Sequence, residues 1–412
     1  MEIRTFVDLF AGCGGLSLGL IKSGMQGIFA IEKNSDAFLT LKHNLIDGDK
    51  GNYDWPEWLP CEATTTAELL TKFPQNLESL RGKIDVVAGG PPCQGFSFAG
   101  RRNSNDPRNK LTEEYIEIVS ILRPKFLILE NVKGFTSAFA NSDEGAYSKT
   151  VVKTLTDLTW GGYQVYDRML KASLFGVPQP RQRYILIAVR KDLVEDDFAG
   201  PFHDLEKFVK KFRDSKNLNG NDISVSEAIS DLEICNRELV ECVDSKGFQQ
   251  IKYEVPKELT EFQRLMREDT PATLSPNSLR IPRHRPETKK KFERILKDCP
   301  KGKSLSKEYR EKWDMKKQCF TPLHPNQISR TITTLPDDLL HYSEPRILTV
   351  RENARLQTFP DWFEFRGKYT TGGPRRKLEC PRYTQVGNAV PPLMAEALGE
   401  LIDRVTIRSG HE

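Results

Sequence analysis

The sequence lacks any long apolar run and any recognisable export segment. No stretch of its 412 residues approaches the roughly 18 uncharged apolar residues that a membrane-spanning helix needs, so we expect no membrane partner. The N-terminus lacks the basic segment followed by an apolar segment that marks a secretory signal. We therefore expect a cytoplasmic protein.

The eight cysteines and six histidines also lack the spacings of known frameworks. No two cysteines form a C-x-x-C pair, and the chain is long, so neither a zinc ribbon nor a disulfide framework is indicated. The histidines show no metal-ligand spacing, so no metal is predicted. A scattered cysteine is usually a small buried apolar residue, and Cys93 is the exception because of its neighbours.

Net charge is small, but its distribution is uneven. The whole chain carries 61 Lys and Arg against 57 Asp and Glu. Residues 191–270 hold 12 basic and 19 acidic side chains, whereas residues 271–330 hold 16 basic and six acidic ones. A basic stretch is typical of a phosphate-binding surface, although a solvated charged face explains the charge run alone equally well. The prolines of SPNSLRIPRHRP (275–286) favour a loop there.

Short apolar runs alternate with helical patterns in the first half of the chain. Such runs predict strands buried on both faces of a parallel sheet, and the alternation predicts an α/β fold. The runs lie at 3–9, 27–32, 84–89, 126–131, 163–170 and 184–190. The predicted helices lie near 16–23 and 35–44.

Residues 191–329 lack this alternation and predict a second, smaller and irregular domain. They are polar, charge-segregated and rich in Pro and Asn. Regular patterns return with RTITT (330–334), which predicts a strand, and with TVRENARLQ (349–357), which predicts a helix that Pro360 ends.

Glycines follow the first predicted strand in DLFAGCGG (8–15). Glycine permits close approach of a ligand to the backbone, and the start of the next helix favours an anionic group. The dinucleotide fingerprint G-x-G-x-x-G is not met, because Ser17 stands where its third glycine belongs. Glu32 ends the second strand, where an acidic residue can accept hydrogen bonds from ribose. We therefore predict a single nucleoside that carries a carboxylate, not NAD.

Prolines and glycines surround Cys93 in GGPPCQGFS (89–97). The prolines stiffen the approach to Cys93, and the glycine after it permits a mobile loop. This segment follows a predicted buried strand, and open α/β sheets bind ligands at that end of their strands. Cys93 is therefore a candidate nucleophile. A thiol with an ordinary pKa near 8.5 is only about 3% thiolate at pH 7. We therefore expect a cationic or helix-N-terminal environment that lowers the pKa of Cys93.

Taken in order, these motifs resemble those of the bacterial-type DNA (cytosine-5)-methyltransferases. The blocks are DLFAGCGG, AIE, GGPPCQGFS, LENVKGF, QPRQR and TQVGNAVPP, supported by RTITTL and LTVRENARLQTFP. They cover residues 3–190 and about 324–404. The resemblance implies a mostly parallel, Rossmann-like methyltransferase sheet. It also implies a catalytic and cofactor-binding domain at 1–190 completed by 380–412, a target-recognition domain at 191–329, and a linking segment and hinge at 330–379.

The activity that the resemblance implies is methyl transfer from S-adenosyl-L-methionine to C5 of a flipped-out cytosine in a specific double-stranded DNA sequence. By the same resemblance Cys93 bonds to C6, which activates C5. Glu130 acts at N3 of the base and needs a raised pKa, which burial supplies. Arg181 and Arg183 match an arginine pair that orients the base and the catalytic groups, and they would also favour the Cys93 thiolate.

The resemblance also assigns cofactor contacts. Phe10 packs on the adenine, Gly12 and Gly14 line the methionine end, and Glu32 takes the ribose. Further contacts are implied for Pro92, Leu111, Asn388 and Val390. The sequence departs from the family near 65–66, where many members carry Asp-Ile and this chain has Thr65 and Thr66. The contact to the adenine amino group is therefore open.

Double-stranded DNA is the implied partner, and it requires basic surfaces. A loop over 95–100 with Arg101, Arg102 and Arg108 is expected to close over DNA phosphates. The basic stretch of the recognition domain is expected to supply major-groove readout, from Arg283, Arg285, Lys289, Lys290 and Lys291. The resemblance also implies a cognate restriction endonuclease as a functional partner. Because the protein is expected to bind DNA, we expect it in the cytoplasm, associated with the nucleoid.

Three other functions compete with this one. The segment Cys319-Phe320-Thr321 resembles a signature of tRNA cytosine-5 methyltransferases, but PPCQGFS is the DNA-type version of the catalytic block. A catalytically dead DNA-binding homologue would usually lack the cysteine or the Glu-Asn-Val block, and both are present. A nucleotide oxidoreductase is disfavoured because the dinucleotide fingerprint fails.

Overall fold

The computed structural model describes residues 3–92, 109–137, 146–218, 220–371, 375 and 379–405. The loop over 95–100 and four predicted site residues lie outside the described residues, namely Cys93, Arg101, Arg102 and Arg108. Internal contacts divide the chain into two compact units. The first unit comprises Met1–Lys171, Gln182–Phe208 and Met394–Glu412, and the second comprises Ala172–Arg181 and Val209–Leu393. The domain boundaries expected from the resemblance stay a prediction.

A six-stranded sheet forms the centre of the first unit. Its strands are β1 (Thr5–Leu9), β2 (Gln26–Ile31), β3 (Val86–Gly89), β4 (Phe126–Val132), β5 (Tyr163–Lys171) and β6 (Gln182–Arg190). Their order is β2-β1-β3-β4-β6-β5, with β1 to β4 parallel and β6 antiparallel to both of its neighbours. The predicted α/β fold with a mostly parallel sheet is therefore confirmed.

The central strands are buried on both faces, as their unbroken apolar runs predict. Residues 6–9, 86–88 and 126–129 are fully buried. Helices that pack around the sheet are α1 (Gly15–Lys22), α2 (Ser35–Leu41), α3 (Thr66–Lys72), α4 (Pro74–Ser79), α5 (Asn109–Leu122) and α6 (Tyr147–Thr156). A π-helix over Lys42–Ile46 continues α2.

The second unit is built mainly from short helices and irregular segments. Its helices are α7 (Leu205–Ser215), which begins in the first unit, α8 (Val225–Ile229), α9 (Glu261–Met266), α10 (Pro286–Asp298), α11 (Lys307–Lys312), α12 (Val350–Leu356), α13 (Arg382–Asn388) and the start of α14 (Pro392–Asp403). Its short strands are β7 (Leu239–Glu241), β8 (Gln249–Ile251), β9 (Thr321–Pro322) and β10 (Leu339–Leu340). None of the described helices is long and apolar enough to span a membrane.

Two local predictions for the second unit are confirmed and one is wrong. Of the predicted loop 275–286, residues 275–285 form neither helix nor strand and Pro286 begins α10. Helix α12 lies within the predicted helix 349–357. The predicted strand at 330–334 does not form. Side chains replace the strand partner there, because Ile332 N donates to Gln179 Oε1 and Arg181 donates to Ile332 O, each at 3.0 Å.

Helix α12 is rich in charge and yet wholly buried. The Arg355 guanidinium donates to both carboxylate oxygens of Asp231 at 3.1 and 3.0 Å, and to both of Asp361 at 2.5 and 2.7 Å. A buried cation is stable only when it is paired and hydrogen-bonded. The two bidentate pairs therefore fix α12 to the segments that carry the two aspartates.

Replacing Arg355 with alanine should lower the free energy of unfolding by about 3–5 kcal/mol, because two buried carboxylates each lose a bidentate partner and only Asp361 keeps a second arginine, Arg267. The measurement is urea denaturation followed by circular dichroism. The matched control is Arg264→Ala, which removes an exposed ion pair to Glu261 and should change stability little. Equal losses in the two variants would contradict this account of α12.

Candidate active site

The strand order reverses between β1 and β3, and the candidate site lies at the carboxyl ends of these strands. Open α/β sheets bind ligands at such a switch point. The glycine segment after β1 and the Gly-Pro segment after β3 both lie here, since Gly90 N donates to Leu9 O at 3.4 Å. The two motifs that the sequence singled out for chemistry are thus neighbours in the first unit.

The loop after β1 has a conformation that needs its glycines. Phe10, Gly12 and Gly14 have φ angles of 64°, 58° and 92°, in the left-handed region that favours glycine. A Cβ atom at Gly14 would also lie 2.9 Å from Leu45 Cδ1, whereas one at Gly12 would meet no described atom within 4 Å. No described residue therefore fills the space beside the Gly12 backbone, where a ligand could lie.

Glu32, directly after β2, ties this loop to the start of α2. Its Oε2 accepts from Gly12 N at 2.9 Å, and its Oε1 accepts from Asn34 N at 2.7 Å. Burial raises the pKa of Glu32, and the two N–H donors oppose that effect. The carboxyl group is thus fixed beside Gly12, where each oxygen keeps capacity for a further hydrogen bond.

Thr65 and Thr66 both have partners within the first unit. Thr65 caps α3, accepting from Glu68 N at 3.1 Å and donating to Glu68 Oε2 at 2.9 Å. Thr66 donates to Glu114 in α5, a buried residue three positions after the half-buried Leu111. Both hydroxyl groups are therefore engaged in local structure at the position where many family members carry the aspartate.

A buried polar chain that sequence reasoning missed supports the loop after β1. Ser17 Oγ in α1 donates to Asp8 Oδ2 in β1 at 2.6 Å, and Tyr53 OH donates to Ser17 Oγ at 2.9 Å. Asp8 is fully buried, and this burial raises its pKa to about 7. The bond between Asp8 and Ser17 joins the two elements that flank the glycine loop. The position of Asp8 in the first strand was the available sequence signal.

Glu130 and Arg183 form an ion pair at the same edge of the sheet. Arg183 Nε lies 2.6 Å from Glu130 Oε1, and each side chain is 13% exposed. The antiparallel register pairs Val132 with Arg183, which brings the start of β6 beside the end of β4. A Cβ atom at Gly90 would lie 3.3 Å from Glu130 Oε2. The structure therefore brings Glu130 and Arg183 together, next to the segment that leads to Cys93.

Asn131 anchors that segment. Its amide nitrogen donates to Pro91 O at 3.2 Å, and its side chain is buried. Pro91 lies two residues before Cys93 and one before the half-buried Pro92. Sequence reasoning gave Asn131 no role, although its place in the Glu-Asn-Val block marked it as a neighbour of Glu130.

Arg181 has different surroundings, in the second unit. Its buried guanidinium donates to Ile332 O and to Gly387 O, each at 3.0 Å. These acceptors are backbone carbonyls, so Arg181 fixes two chain segments within its unit. Asn388, exposed at the end of α13, and the buried Val390 belong to the same unit.

Five of the eight predicted DNA-binding residues lie in the second unit, around the start of α10. This helix buries Phe292 and Ile295, and its opposite face is basic. Four predicted residues are exposed, namely Arg283, Arg285, Lys289 and Lys290. The half-buried Lys291 donates to Asp314 O at 3.2 Å.

A family model described as C-5 cytosine-specific DNA methylase matches residues 4–404. The chain belongs to this family. The predicted family and its enzyme class, DNA (cytosine-5)-methyltransferase, are therefore confirmed.

Relatives match this methylase over nearly its whole length. The Type II methyltransferase M.DdeI of Desulfomicrobium norvegicum is 31% identical over 96% of this chain and 88% of its own. The Type II methyltransferase M.XorII of Xanthomonas oryzae pv. oryzae is 30% identical over 95% and 83%. Among solved structures, an Escherichia coli prophage protein assigned as a DNA modification methyltransferase has a TM-score of 0.62 at 24% identity, over 98% of this chain and 99% of its own. This structural likeness supports the fold.

The buried Asp8 should make this methylase less stable as the pH rises. Because burial raises the pKa of Asp8 from 3.8 to about 7, the folded state holds more protons than the unfolded state between these values. The free energy of unfolding should then be highest below the lower value and fall until the pH passes the higher one. Asp8→Asn should flatten this decline in urea denaturation between about pH 4 and pH 8. The exposed Asp54 serves as control, since Asp54→Asn should keep the wild-type decline, and parallel curves for Asp8→Asn would contradict the prediction.

Proposed function

We propose that this methylase transfers a methyl group from S-adenosyl-L-methionine to C5 of a cytosine in a specific double-stranded DNA sequence, with Cys93 as transient nucleophile. The observation that carries the proposal is the ion pair of Glu130 and Arg183 beside Gly90. A half-buried carboxyl group and a guanidinium thus meet at the segment that leads to a cysteine. These are the groups that cytosine activation requires.

The first unit has groups that suit the proposed methyl donor. S-Adenosylmethionine is a nucleoside that carries an amino-acid carboxylate. No described residue fills the space beside the Gly12 backbone, the Glu32 carboxyl lies next to Gly12, and the Phe10 ring is half-buried next to the core. We therefore assign the ribose to Glu32, the adenine face to Phe10 and the methionine end to Gly12 and Gly14. When bound, the donor supplies an electrophilic methyl group on sulfur.

The proposed reaction begins at C6 of the base. The Cys93 thiolate forms an S–C6 bond, and the electron pair of the C5–C6 double bond moves to C5 while Glu130 hydrogen-bonds or protonates N3. C5 takes the methyl group as its bond to the donor sulfur breaks, which leaves S-adenosyl-L-homocysteine, and C5 then loses its proton to a base. Any proton that N3 gained returns to Glu130. The S–C6 bond breaks, the double bond returns and Cys93 leaves as thiolate. The net change is cytosine to 5-methylcytosine, with release of one proton.

Arg183 has two tasks in this scheme. Its guanidinium offsets the cost of burying the Glu130 carboxylate, and its Nε, 2.6 Å from Oε1, holds that carboxylate beside the start of β6 by charge attraction. Asn131 has a positioning task, because its bond to Pro91 O anchors the backbone two residues before Cys93. The chain thus holds the acid and the nucleophile segment from the same strand end.

The target base must leave the duplex to reach Cys93, at a cost of a few kcal/mol. We propose that basic side chains of both units hold the DNA while this occurs, those at 101, 102 and 108 in the first unit and those around the start of α10 in the second. Two relatives carry the name Type II methyltransferase, and we propose that this chain likewise protects DNA from a cognate restriction endonuclease. A neighbouring endonuclease gene, with cleavage blocked by the methylase, would test this role.

Cys93→Ser should abolish methyl transfer while DNA binding survives, because a serine hydroxyl is a much weaker nucleophile than a thiolate at neutral pH. The measurements are transfer from labelled S-adenosylmethionine and trapping on DNA with 5-fluorocytosine, whose fluorine cannot leave as a proton would. The matched control is Cys61→Ser, the half-buried cysteine of the first unit, which should react and be trapped like wild type. A trapped Cys93→Ser protein, or an untrapped wild type that binds the DNA, would remove Cys93 from this role.

Glu130→Gln should lower kcat by about 100-fold or more, within the range that general acid–base groups contribute, while the Kd for DNA changes little. Single-turnover methylation separates the chemical step from binding. Glu113→Gln, an exposed change on α5, is the control and should keep the wild-type rate. An unchanged rate in Glu130→Gln would exclude proton transfer or charge compensation by Glu130.

A further inference from the structure

The second unit contains a ladder of alternating guanidinium groups and aromatic rings. Arg283 Cζ lies 4.7 Å from the ring centroid of Phe248, and Arg280 Cζ lies 4.3 Å from the same centroid. Arg280 Cζ also lies 3.9 Å from the centroid of Tyr369, and Arg382 Cζ lies 4.2 Å from that centroid. We call these five residues, in the order Arg283, Phe248, Arg280, Tyr369 and Arg382, the arginine ladder.

One end of the ladder is buried and firmly held. Arg382 and Tyr369 are each 5% exposed. Both bind Asp244 in the turn between β7 and β8, since Arg382 forms an ion pair with it and Tyr369 OH donates to its Oδ1 at 2.7 Å. Arg382 also donates to Ser278 Oγ at 3.1 Å. The ladder thus starts from a rigid base that joins α13, the turn and the loop before α10.

The middle of the ladder acts as a spacer. The Arg280 guanidinium lies over both the Phe248 and the Tyr369 rings, and it donates to Ser245 Oγ at 3.1 Å. Stacking of a guanidinium between rings is favourable, and more so where water is excluded. Arg280 therefore holds Phe248 in place for the last member of the ladder.

The other end of the ladder is open. Arg283 is exposed, its guanidinium stacks on Phe248, and one of its amino groups donates to Gly247 O in the turn. Among the described residues, the hydrogen-bond acceptor of the Arg283 side chain is Gly247 O. A free arginine side chain has about 2 kcal/mol of rotamer entropy to lose on binding, and the stack and the hydrogen bond remove part of that loss in advance.

An exposed, pre-oriented guanidinium fork matches one DNA group well. The commonest specific contact in the major groove is a bidentate bond from arginine to O6 and N7 of guanine. Phosphates also accept from arginine forks, and they are bound well by flexible lysines, which act as point charges. The exposed Lys289 and Lys290 on α10 suit phosphates, and Arg283 suits a base.

We propose that Arg283 is a specificity-determining residue that reads a guanine in the recognition sequence, and that Phe248, Arg280 and Tyr369 position it. This inference rests on the proposed function, since it takes double-stranded DNA as the substrate. By this proposal Arg283 reads the DNA sequence, whereas the other exposed basic residues of the second unit bind the DNA backbone.

The test compares Arg283→Lys with wild type on a library of duplexes with random sequence, by bisulfite sequencing of the methylated products. Lysine keeps the charge and loses the planar fork. At one position where wild type requires guanine, the variant should methylate the target cytosine in duplexes that carry other bases there, with discrimination lowered about 5- to 150-fold. The salt dependence of its binding should stay as in wild type. Lys289→Ala should instead weaken binding equally on all sequences, with a salt slope smaller by about one.

Two further variants serve as a control for Arg283 and as a test of the positioning role of Phe248. Arg294→Ala removes another exposed arginine that lies over a ring, 5.9 Å from the centroid of Trp313, and it should keep the full wild-type sequence preference. Phe248→Leu, checked for folding by circular dichroism, should relax the same guanine position as Arg283→Lys, and an intact preference in this variant would remove the positioning role of the ladder.

Two results would overturn the reading role itself. One is full guanine preference in Arg283→Lys, and the other is an equal loss of affinity on all sequences in Arg283→Ala with a smaller salt slope, which would make Arg283 a phosphate contact. A wild-type protein that methylates no cytosine in any duplex is a separate result, because it contradicts the proposed function before the ladder is tested.

Discussion

The reversed direction of one strand is the constraint on which the candidate site depends. Strand β6 runs antiparallel between β4 and β5, so its first residues lie at the carboxyl ends of the parallel strands. A parallel β6 would bring Arg190, at its other end, to that edge in place of Arg183. Because a carboxylate with little exposure needs a cationic or hydrogen-bonding partner, strand direction decides that Arg183 is the residue paired with Glu130.

Two arginines in the same short motif have separate tasks because of where the strand begins. Arg183 is the second residue of β6 and lies in the sheet with Glu130. Arg181 precedes the strand, belongs to the second unit and binds the carbonyls of Ile332 and Gly387. Gln179 completes this arrangement by accepting from Ile332 N. The motif therefore serves both units, although its residues are adjacent in sequence.

Much of the first unit could be predicted from sequence, because a strand buried on both faces must be apolar throughout and its motif residues follow directly after it. The strand expected at 330–334 failed for a non-local reason, since side chains from residues 179 and 181 take its backbone partners. The arginine ladder could not be predicted from the sequence either. Its members come from positions 248, 280, 283, 369 and 382, and no local spacing relates a ring at one of them to a guanidinium at another.

Glu32 shows how an active site can be ready before its ligand arrives. Its two oxygens already join the loops after β1 and β2 through the N–H groups of Gly12 and Asn34, so a ribose bound as we propose would add to these bonds without replacing them. Little ordering of the loops is then left to oppose binding. A truncated side chain at this position would loosen both loops as well as remove an acceptor, so the affinity lost would exceed that of one hydrogen bond.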